Sequence, residues 1–301
     1  MESEFHPSGL DKATLVSVII PTYNRVDLLR RSVSSVLSQT HHHLDVMVVD
    51  DGSTEDVKEV MSEFDDPRLS YHRLDKNRGS AAARNWGISH SNGQYIAFLD
   101  SDDDWREAKI EAQLARLRLK GPDYKACYTK RERIDDVTGK TVGFSEYGQE
   151  GDLLADTLYR TRVGLSSLIV VKDLLLEIKG FDERMRFAQD WELYLRLAPL
   201  TLFAYVDEPL TRYHYHDGQV SKTYDGNKAY VESLSMIYGT HKDLFRKDRK
   251  AWGAILNQIG HYQMTCGLKK EARSSFLCSI RHNPLQKGAY VSLARMVKGW
   301  N

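Results

Sequence analysis

Five apolar residues in a row, Tyr95-Ile96-Ala97-Phe98-Leu99, run straight into four carboxylates within five positions: Asp100, Asp102, Asp103 and Asp104. A run this short and this apolar, preceded by the turn signal Ser91-Asn92-Gly93, predicts a buried strand of an α/β sheet. The acids then fall just past its carboxyl end, the edge at which open α/β sheets bind ligands. Carboxylates this close raise one another's pKa unless a cation joins them. Hard divalent ions, Mg2+ or Mn2+, take one or two carboxylates together with water and substrate phosphates. From its own residues D-x-D therefore has two readings: a metal that holds a diphosphate, or an acidic loop capping a helix that starts near Trp105, since Asp is a preferred N-cap.

The same grammar recurs upstream. Residues 15–20 (LVSVII) form a β-rich run ended by Pro21-Thr22-Tyr23-Asn24, and the spacing of Leu29, Val33, Val36 and Leu37 predicts an amphipathic helix to about Thr40. His41-His42-His43 reads as a loop of solvated imidazoles, because no second ligand cluster stands at metal-binding spacing from it. Residues 44–49 (LDVMVV) predict a second strand that also ends in acids, Asp50 and Asp51, with Thr54 as the cap of a helix to Phe64. A weaker strand at 69–74 and a helix through AAARNWGI complete a βαβαβαβ order, which predicts a mostly parallel sheet with right-handed crossovers. Neither G-x-G-x-x-G nor G-x-x-x-x-G-K-[ST] follows the first strand, which excludes the dinucleotide fingerprint and the P-loop. A nucleotide would need other handles: Asp51 for a base or ribose, Tyr23 to pack on a base, and D-x-D for the phosphates.

Farther on, Ile110, Leu114 and Leu117 mark a helix closed by Gly121-Pro122, and residues 124–129 a short strand. Residues 131–151 predict a polar hairpin or mobile loop, residues 163–171 a strand, and residues 172–179 a helix ended by Gly180. Asp190 begins QDWELYLRL and can be read as a carboxylate base or as the cap of a helix starting at Trp191. In LTRYHYH, His214 and His216 share one strand face. Three helices follow, over residues 252–267, 269–282 and 285–297, two of them resembling a single tetratricopeptide-like pair.

The 301 residues allow about two domains. Formal charge is zero, yet residues 241–301 hold twelve Lys or Arg against three Asp or Glu, a net of +9 that the preceding part balances with −9. Phe245, Trp252, Tyr290 and Trp300 are interleaved with those cations, a pattern that suits an anionic lipid surface. Three cysteines without C-x-x-C spacing point to a reducing compartment. No apolar leader and no membrane-length run is present, so the expectation is a cytoplasmic protein, peripheral at the inner membrane face, with no nucleic-acid partner.

Taken together and in order, VSVIIPTYNR, LSQT, VVDDGSTED, NRGSAAARN, GQYIAFLDSDD, GFDE and QDWELYLRL resemble the family-2 inverting glycosyltransferases, from about Leu15 to Ser221. The resemblance implies the GT-A fold of nucleotide-diphospho-sugar transferases, an α/β Rossmann-like mostly parallel sheet, here with a C-terminal helical appendage. It divides the chain into a transferase domain over residues 1–224, with a nucleotide half at about 15–104 and an acceptor half at about 105–224, and a basic helical region at 225–301. The implied reaction moves a hexosyl or N-acetylhexosaminyl group from a UDP-, GDP- or dTDP-linked donor to a saccharide or lipid-linked acceptor, in cell-surface polysaccharide or glycolipid synthesis. Carried over by motif, Pro21, Thr22, Tyr23 and Asp51 hold the nucleoside and Arg84 assists. Asp100 lies at the ribose and metal region with Asp103 beside it, Asp102 ligates Mn2+ or Mg2+, and Asp190 is the base. His216, in His216-Asp217-Gly218-Gln219-Val220-Ser221, is a phosphate or metal contact. Gln189 departs from the family's Glu-Asp pair. A nucleotidyltransferase would want a Gly-rich, Lys-bearing loop after the first strand, and a non-catalytic scaffold would not need Asp51, Asp102 and Asp190 together.

Overall fold

The computed structural model describes residues 14–145, 148–216 and 224–297. Its first half alternates as the apolar pattern predicts: β1 (Val16–Thr22), α1 (Val26–Leu37), β2 (Leu44–Asp50), α2 (Val57–Ser62), β3 (Leu69–Arg73), α3 (Ser80–His90) and β4 (Tyr95–Phe98). Then come β5 (Asp104–Trp105), α4 (Lys109–Lys120), β6 (Tyr124–Asp135), β7 (Thr141–Phe144), α5 (Leu154–Thr157), β8 (Leu168–Val171), α6 (Lys172–Glu177), α7 (Gln189–Leu197) and β9 (Leu202–Tyr215). Five helices close the chain, α8 (Tyr224–Thr240), α9 (Lys242–Lys247), α10 (Arg249–Thr265), α11 (Lys269–His282) and α12 (Lys287–Val297).

The strands form one sheet in the order β3-β2-β1-β4-β8-β6-β9-β5, with β7 paired to β6 off that path. β1 to β4 are joined by parallel pairings. Every residue of β1 and β4 is buried, so these strands read as continuous apolar runs instead of alternating ones. Beyond them the sheet is mixed. β8 lies antiparallel to β4 and β6, β6 runs parallel to β9, and β5 lies antiparallel to β9. The core beneath joins Val18, Ile20, Val46, Val48 and Ala97 of the strands to Leu29, Val33 and Val36 of α1.

Tertiary context overrides the local pattern in four places. The strand expected at 163–171 is only Leu168–Val171. Before it, Leu165–Ser167 is a 3-10 turn, because the Ser167 amide and hydroxyl both donate to the Gly164 carbonyl, at 2.9 and 2.6 Å. Of the two readings of residues 131–151, the hairpin holds over the first part, where β6 continues to Asp135 and folds back as β7. The helix expected from Trp105 starts at Lys109, because Asp104 and Trp105 first pair with Arg212 and Thr211 of β9. The cap of α2 is Asp56, accepting from the Glu59 amide at 3.0 Å, while the Thr54 amide and hydroxyl are taken by Asn24 Oδ1. His41 is buried with Nε2 2.8 Å from the Thr14 carbonyl, and only His42 and His43 are exposed.

Two compact units divide the described residues. One lies within Met1–Leu154, Thr161–Glu183 and Arg196–His216, the other within Ala155–Arg160, Arg184–Leu195 and Asp217–Asn301. The second is therefore not simply the chain's tail, since it takes in two earlier segments, including the first turns of α7. In it, α10 and α11 pack closely: a Cβ on Gly260 would stand 2.7 Å from the Phe276 ring, and Ser279 Oγ donates to the Gly253 carbonyl at 2.6 Å. Phe245 is fully buried, and Trp252 stacks on His282 at 3.6 Å between ring centroids, so both serve the interior instead of a lipid surface. Trp300 lies outside the described residues. No described helix is long and apolar enough to cross a membrane.

Lys109 is fully buried in the first unit, its Nζ 2.7 Å from Gln113 Oε1 and 3.9 Å from the centroid of the Trp105 ring. Burial lowers its pKa to about 7, whereas the unfolded value is about 10.4. Between those values the unfolded chain binds a proton that the folded chain lacks, so this group makes stability rise with pH. The Cys127 thiol, pushed up to about 12 by burial, acts oppositely once unfolded thiols ionise above about pH 8.5. Lys109→Met should therefore flatten the rise in the urea unfolding midpoint between about pH 7 and about pH 8.5. An unchanged slope would show that Lys109 keeps its proton in the fold.

Candidate active site

Three loops leave the carboxyl ends of β1, β2 and β4, and side chains stitch them together within the first unit. After β1, Asn24 takes a left-handed conformation (φ +50°), which Asn tolerates better than most residues. Its amide donates to Ser53 Oγ at 2.9 Å, and its Oδ1 accepts from the Thr54 amide at 2.8 Å, joining the β1 and β2 loops. Arg25, the next residue, pairs through Nη1 with Asp102 Oδ2, joining the β1 and β4 loops. Pro21, Thr22 and Asp51 are buried at this edge and Tyr23 is 42% exposed beside them. The Thr22 carbonyl accepts from the Asp51 amide at 2.9 Å, while Thr22 Oγ1 is buried with no hydrogen-bond partner among the described residues.

Asp51 organises the next loop. Its two oxygens accept from the Arg78 and Gly79 amides at 2.8 and 2.7 Å, and Gly79, at φ +94°, opens α3. Burial raises the pKa of this carboxyl, and those two amides pull it back down. On α3, Arg84 is buried and donates from Nη2 to Asp100 Oδ1 at 2.7 Å, with Phe181 5.4 Å from its guanidinium carbon.

The four aspartates after β4 meet different fates. Asp100 and Asp102 remain at the surface of the loop, and His216 Nε2 lies 3.2 Å from Asp102 Oδ2. Asp103 is buried, accepting from Ser166 Oγ at 2.6 Å and from the His214 amide at 3.3 Å. Burial, then the neighbouring Asp102 and Asp100 carboxylates, hold its carboxyl well above the usual range. Its carboxylate thus shapes the loop from inside. Asp104, also buried, meets Arg212 Nε, His214 Nε2 at 2.7 Å and Arg31 Nε at 3.6 Å. His214 Nδ1 is 2.9 Å from Asp136 Oδ1, which also accepts from Arg31 Nη1 at 2.6 Å. Arg31 Nη2 donates to the Asp102 carbonyl at 2.7 Å. The reading of D-x-D as an N-cap fails here, because α4 starts at Lys109 with no side-chain cap.

A divalent cation fits what converges at this edge. Asp102 and His216 supply one carboxylate and one imidazole, both acceptable donors to Mn2+; in this structure Asp102 Oδ2 pairs with Arg25 Nη1 and lies 3.2 Å from His216 Nε2, contacts that an ion would replace. Among the described residues no three His, Cys, Asp or Glu side chains gather as a closed cage. Such a donor set suits an ion that completes its shell with phosphate oxygens and water.

Asp190 belongs to the second unit. It stands in the first turn of α7, one residue inside the helix, and its Oδ1 accepts from its own neighbour's amide, Trp191, at 2.9 Å. Ala188, just before the helix, has φ +52°, a conformation that costs a non-glycine residue about 1–2 kcal/mol. Gln189 is buried and donates from Nε2 to the Met185 carbonyl at 2.7 Å, which a carboxylate could not do. The segment Asp217–Ser221 after His216 lies outside the described residues.

At this edge the structure brings together Tyr23, Asp51, Asp100, Asp102 and His216, all singled out in the sequence, with Arg25 and Arg31, which were not. Arg25, Arg31 and Ser166 act across 77, 71 and 63 residues of chain, respectively, on Asp102 and Asp103, separations that no local pattern spans.

Residues 17–164 match the family described as Glycosyl transferase family 2. TuaG of Bacillus subtilis strain 168, a glycosyltransferase named for teichuronic acid biosynthesis, is 43% identical over 211 residues, covering 69% of this chain and 81% of TuaG. The chain spans only about a third of the length, 28–34%, of the Rickettsia glycosyltransferases it also matches at 32–33% identity. Among solved structures, TarS 1-349 of S. aureus in complex with UDP-GlcNAc superposes with a TM-score of 0.64 at 16% identity, covering 95% of this chain and 93% of that one. The mannosyltransferase PcManGT of Pyrobaculum calidifontis, in complex with GDP-Man and Mn2+, gives 0.60 at 16%, covering 95% and 81%. The parallel β1–β4 sheet, the acids at its carboxyl edge and these matches agree, and the chain belongs to glycosyl transferase family 2.

Proposed function

We propose that this chain transfers a hexosyl or N-acetylhexosaminyl group from a nucleoside-diphosphate donor to an acceptor hydroxyl, with inversion at the anomeric carbon, in the assembly of a cell-surface polysaccharide or glycolipid. The observation that carries the reading is Asp102 with His216 at the carboxyl edge of β4, flanked on the neighbouring strand ends by exposed Tyr23 and buried Asp51. A diphosphate is the ligand that such a two-donor metal site needs. The fold likeness to proteins solved with UDP-GlcNAc and with GDP-Man and Mn2+ is consistent with it.

The residues then divide the work. Tyr23 stacks on the base, while Pro21, Thr22 and Asp51 line the nucleoside, with the orphaned Thr22 hydroxyl available to it. Arg84 holds Asp100 toward the ribose, and Asp103 keeps the loop in shape. Asp102 and His216 hold Mn2+ or Mg2+, which when bound offsets the charge that develops on the departing diphosphate. Asp190 takes the proton of the acceptor hydroxyl as its oxygen bonds to the anomeric carbon. The bond from that carbon to the diphosphate breaks on the opposite face, its electron pair leaving with the diphosphate. With Gln189 serving as an amide donor, Asp190 is the single acid of the pair.

The outer faces of the last two helices support a membrane partner. On α11 exposed Leu277 is flanked by Lys270, Arg273 and Arg281, and on α12 exposed Tyr290 and Val291 are flanked by Lys287 and Arg295. Residues 269–297 hold six Lys or Arg against one Glu, a net of +5. Cations around apolar side chains suit an anionic lipid headgroup layer, each contributing about 1 kcal/mol near the surface.

Three measurements test this reading. Mn2+ should bind about ten-fold or more tightly when UDP is present, since phosphates complete the coordination shell, and Asp102→Ala should abolish that coupling in electron paramagnetic resonance titrations. Equal Mn2+ affinity with and without UDP, or transfer undiminished by excess EDTA, removes the metal from this site. Asp190→Asn should keep UDP-sugar affinity and lose about 100-fold or more in transfer; transfer at the parental rate would leave Asp190 a helix-terminal residue only. Finally, the protein should sediment with phosphatidylglycerol-containing vesicles at low salt, not with pure phosphatidylcholine. High salt or the Leu277→Glu/Tyr290→Glu double variant should release it, and binding unaffected by either would exclude this face.

A further inference from the structure

A row of half-buried aromatic rings runs beside Asp190 within the second unit. Phe187, three residues before Asp190, has its ring centroid 6.3 Å from that of Tyr230 on α8, nearly edge to face at 67°. The Tyr230 ring is in turn 4.6 Å from Tyr262 on α10, tilted by 50°. None of the three is fully buried, although Trp191, Leu234, Ile237 and Ile255 nearby form a closed core. Helix α8 fixes the start of the row, since the Phe187 amide donates to Ser233 Oγ at 3.3 Å. The strained Ala188 turns the chain directly from Phe187 into the helix that carries Asp190, and strain of this kind persists where the surrounding structure enforces it, often at ligand sites. Burial, the Tyr262 hydroxyl and the Asp190 carboxylate hold the Tyr230 phenol above its ordinary pKa, so it stays a neutral donor and acceptor.

A pyranose ring has the complementary chemistry. Its faces present polarised C–H bonds, which favour the negative face of an aromatic ring. Its rim presents hydroxyls that can pair with a carboxylate and with phenols. Binding sites of this kind combine aromatic walls with a few polar groups. We propose that Phe187, Tyr230 and Tyr262 form a stacking platform for a pyranose ring of the acceptor saccharide, so that the C-terminal helices α8 and α10 build the acceptor subsite next to Asp190. This rests on the reading of Asp190 as the base.

The test measures binding without chemistry. Saturation-transfer NMR on the full chain, with methyl glycosides of glucose, galactose, mannose and N-acetylglucosamine as probes, should detect at least one bound to the parent. Tyr230→Ala and Tyr262→Ala should each weaken that binding about ten-fold or more, while Tyr230→Phe and Tyr262→Phe keep the ring faces and stay within about three-fold. UDP binding should not change in any of them. Should an alanine variant melt early, Tyr230→Leu and Tyr262→Leu, which keep apolar volume without a ring face, decide in its place. Asp190→Asn should still bind the glycoside while losing transfer, which separates the platform from the base: transfer retained in Asp190→Asn removes the base alone. No binding of any of the four probes to the parent, binding that survives loss of both rings, or loss of UDP affinity alongside glycoside affinity, as for a base-stacking site, would overturn the platform.

Discussion

Four aspartates within five positions at one strand end repel one another, and much of the first unit is arranged to absorb that charge. Arg84 meets Asp100, Arg25 and His216 meet Asp102, and Arg31, Arg212 and His214 surround Asp104. Asp103 has no cationic partner among the described residues and is held inside by a serine hydroxyl and a backbone amide, its carboxyl pushed up by burial and by its charged neighbours. Buried ion pairs gain little net stability, but removing one partner strands a charge and typically costs about 3–5 kcal/mol. Asp104, 1% exposed, is in that position, so Arg31, Arg212 and His214 around it act as one group.

This arrangement separates structure from chemistry along a run of identical side chains. Asp103 and Asp104 point into the protein and fix the loop. Asp100 and Asp102 are left at its surface. Arg31 extends the fixing outward: one guanidinium reaches the Asp102 carbonyl and Asp136, at the turn after β6, so the β6–β7 hairpin and the D-x-D loop share an anchor. The mixed half of the sheet supplies the remaining supports, since the turn before β8 presents Ser166 to Asp103 and β9 presents His214 to Asp104.

The second unit obeys a different constraint. Its helices approach closely where α10 carries glycine, with Phe276 seated against Gly260. Phe245 is buried among α8 and α10 residues and Trp252 stacks on His282, although in sequence they look like the interleaved aromatics of a lipid-facing helix. The outward faces of α11 and α12 keep Leu277, Tyr290 and Val291 among cations. The helices are thus amphipathic toward their own core and carry a second apolar stripe on the solvent side.

Read alone, the chain reveals those features whose cause is local. β1, β2 and β4 are legible because a strand buried on both faces needs a continuous apolar run, and α1 because its core stripe repeats at helical spacing. The D-x-D at the carboxyl edge and the series of motifs that marks the family are legible for the same reason, since each is a contiguous word. The two-residue β5 is not, because only its pairing with β9 makes it a strand. Nor is the split of residues 163–171 into a turn and a strand, which depends on the pairing of Leu168–Val171 with β4 and β6. The partners of the four aspartates are beyond any local pattern: Arg25 meets Asp102 across 77 residues, and His214 meets Asp104 across 110. The row from Phe187 to Tyr262 is hidden in the same way. Burial period and turn chemistry are properties of neighbours in sequence, so the sequence by itself determined the strands, the acidic edge and the family. Charge pairing and ring contact depend on which elements the sheet order and the helix packing bring side by side, and only the tertiary structure decided those.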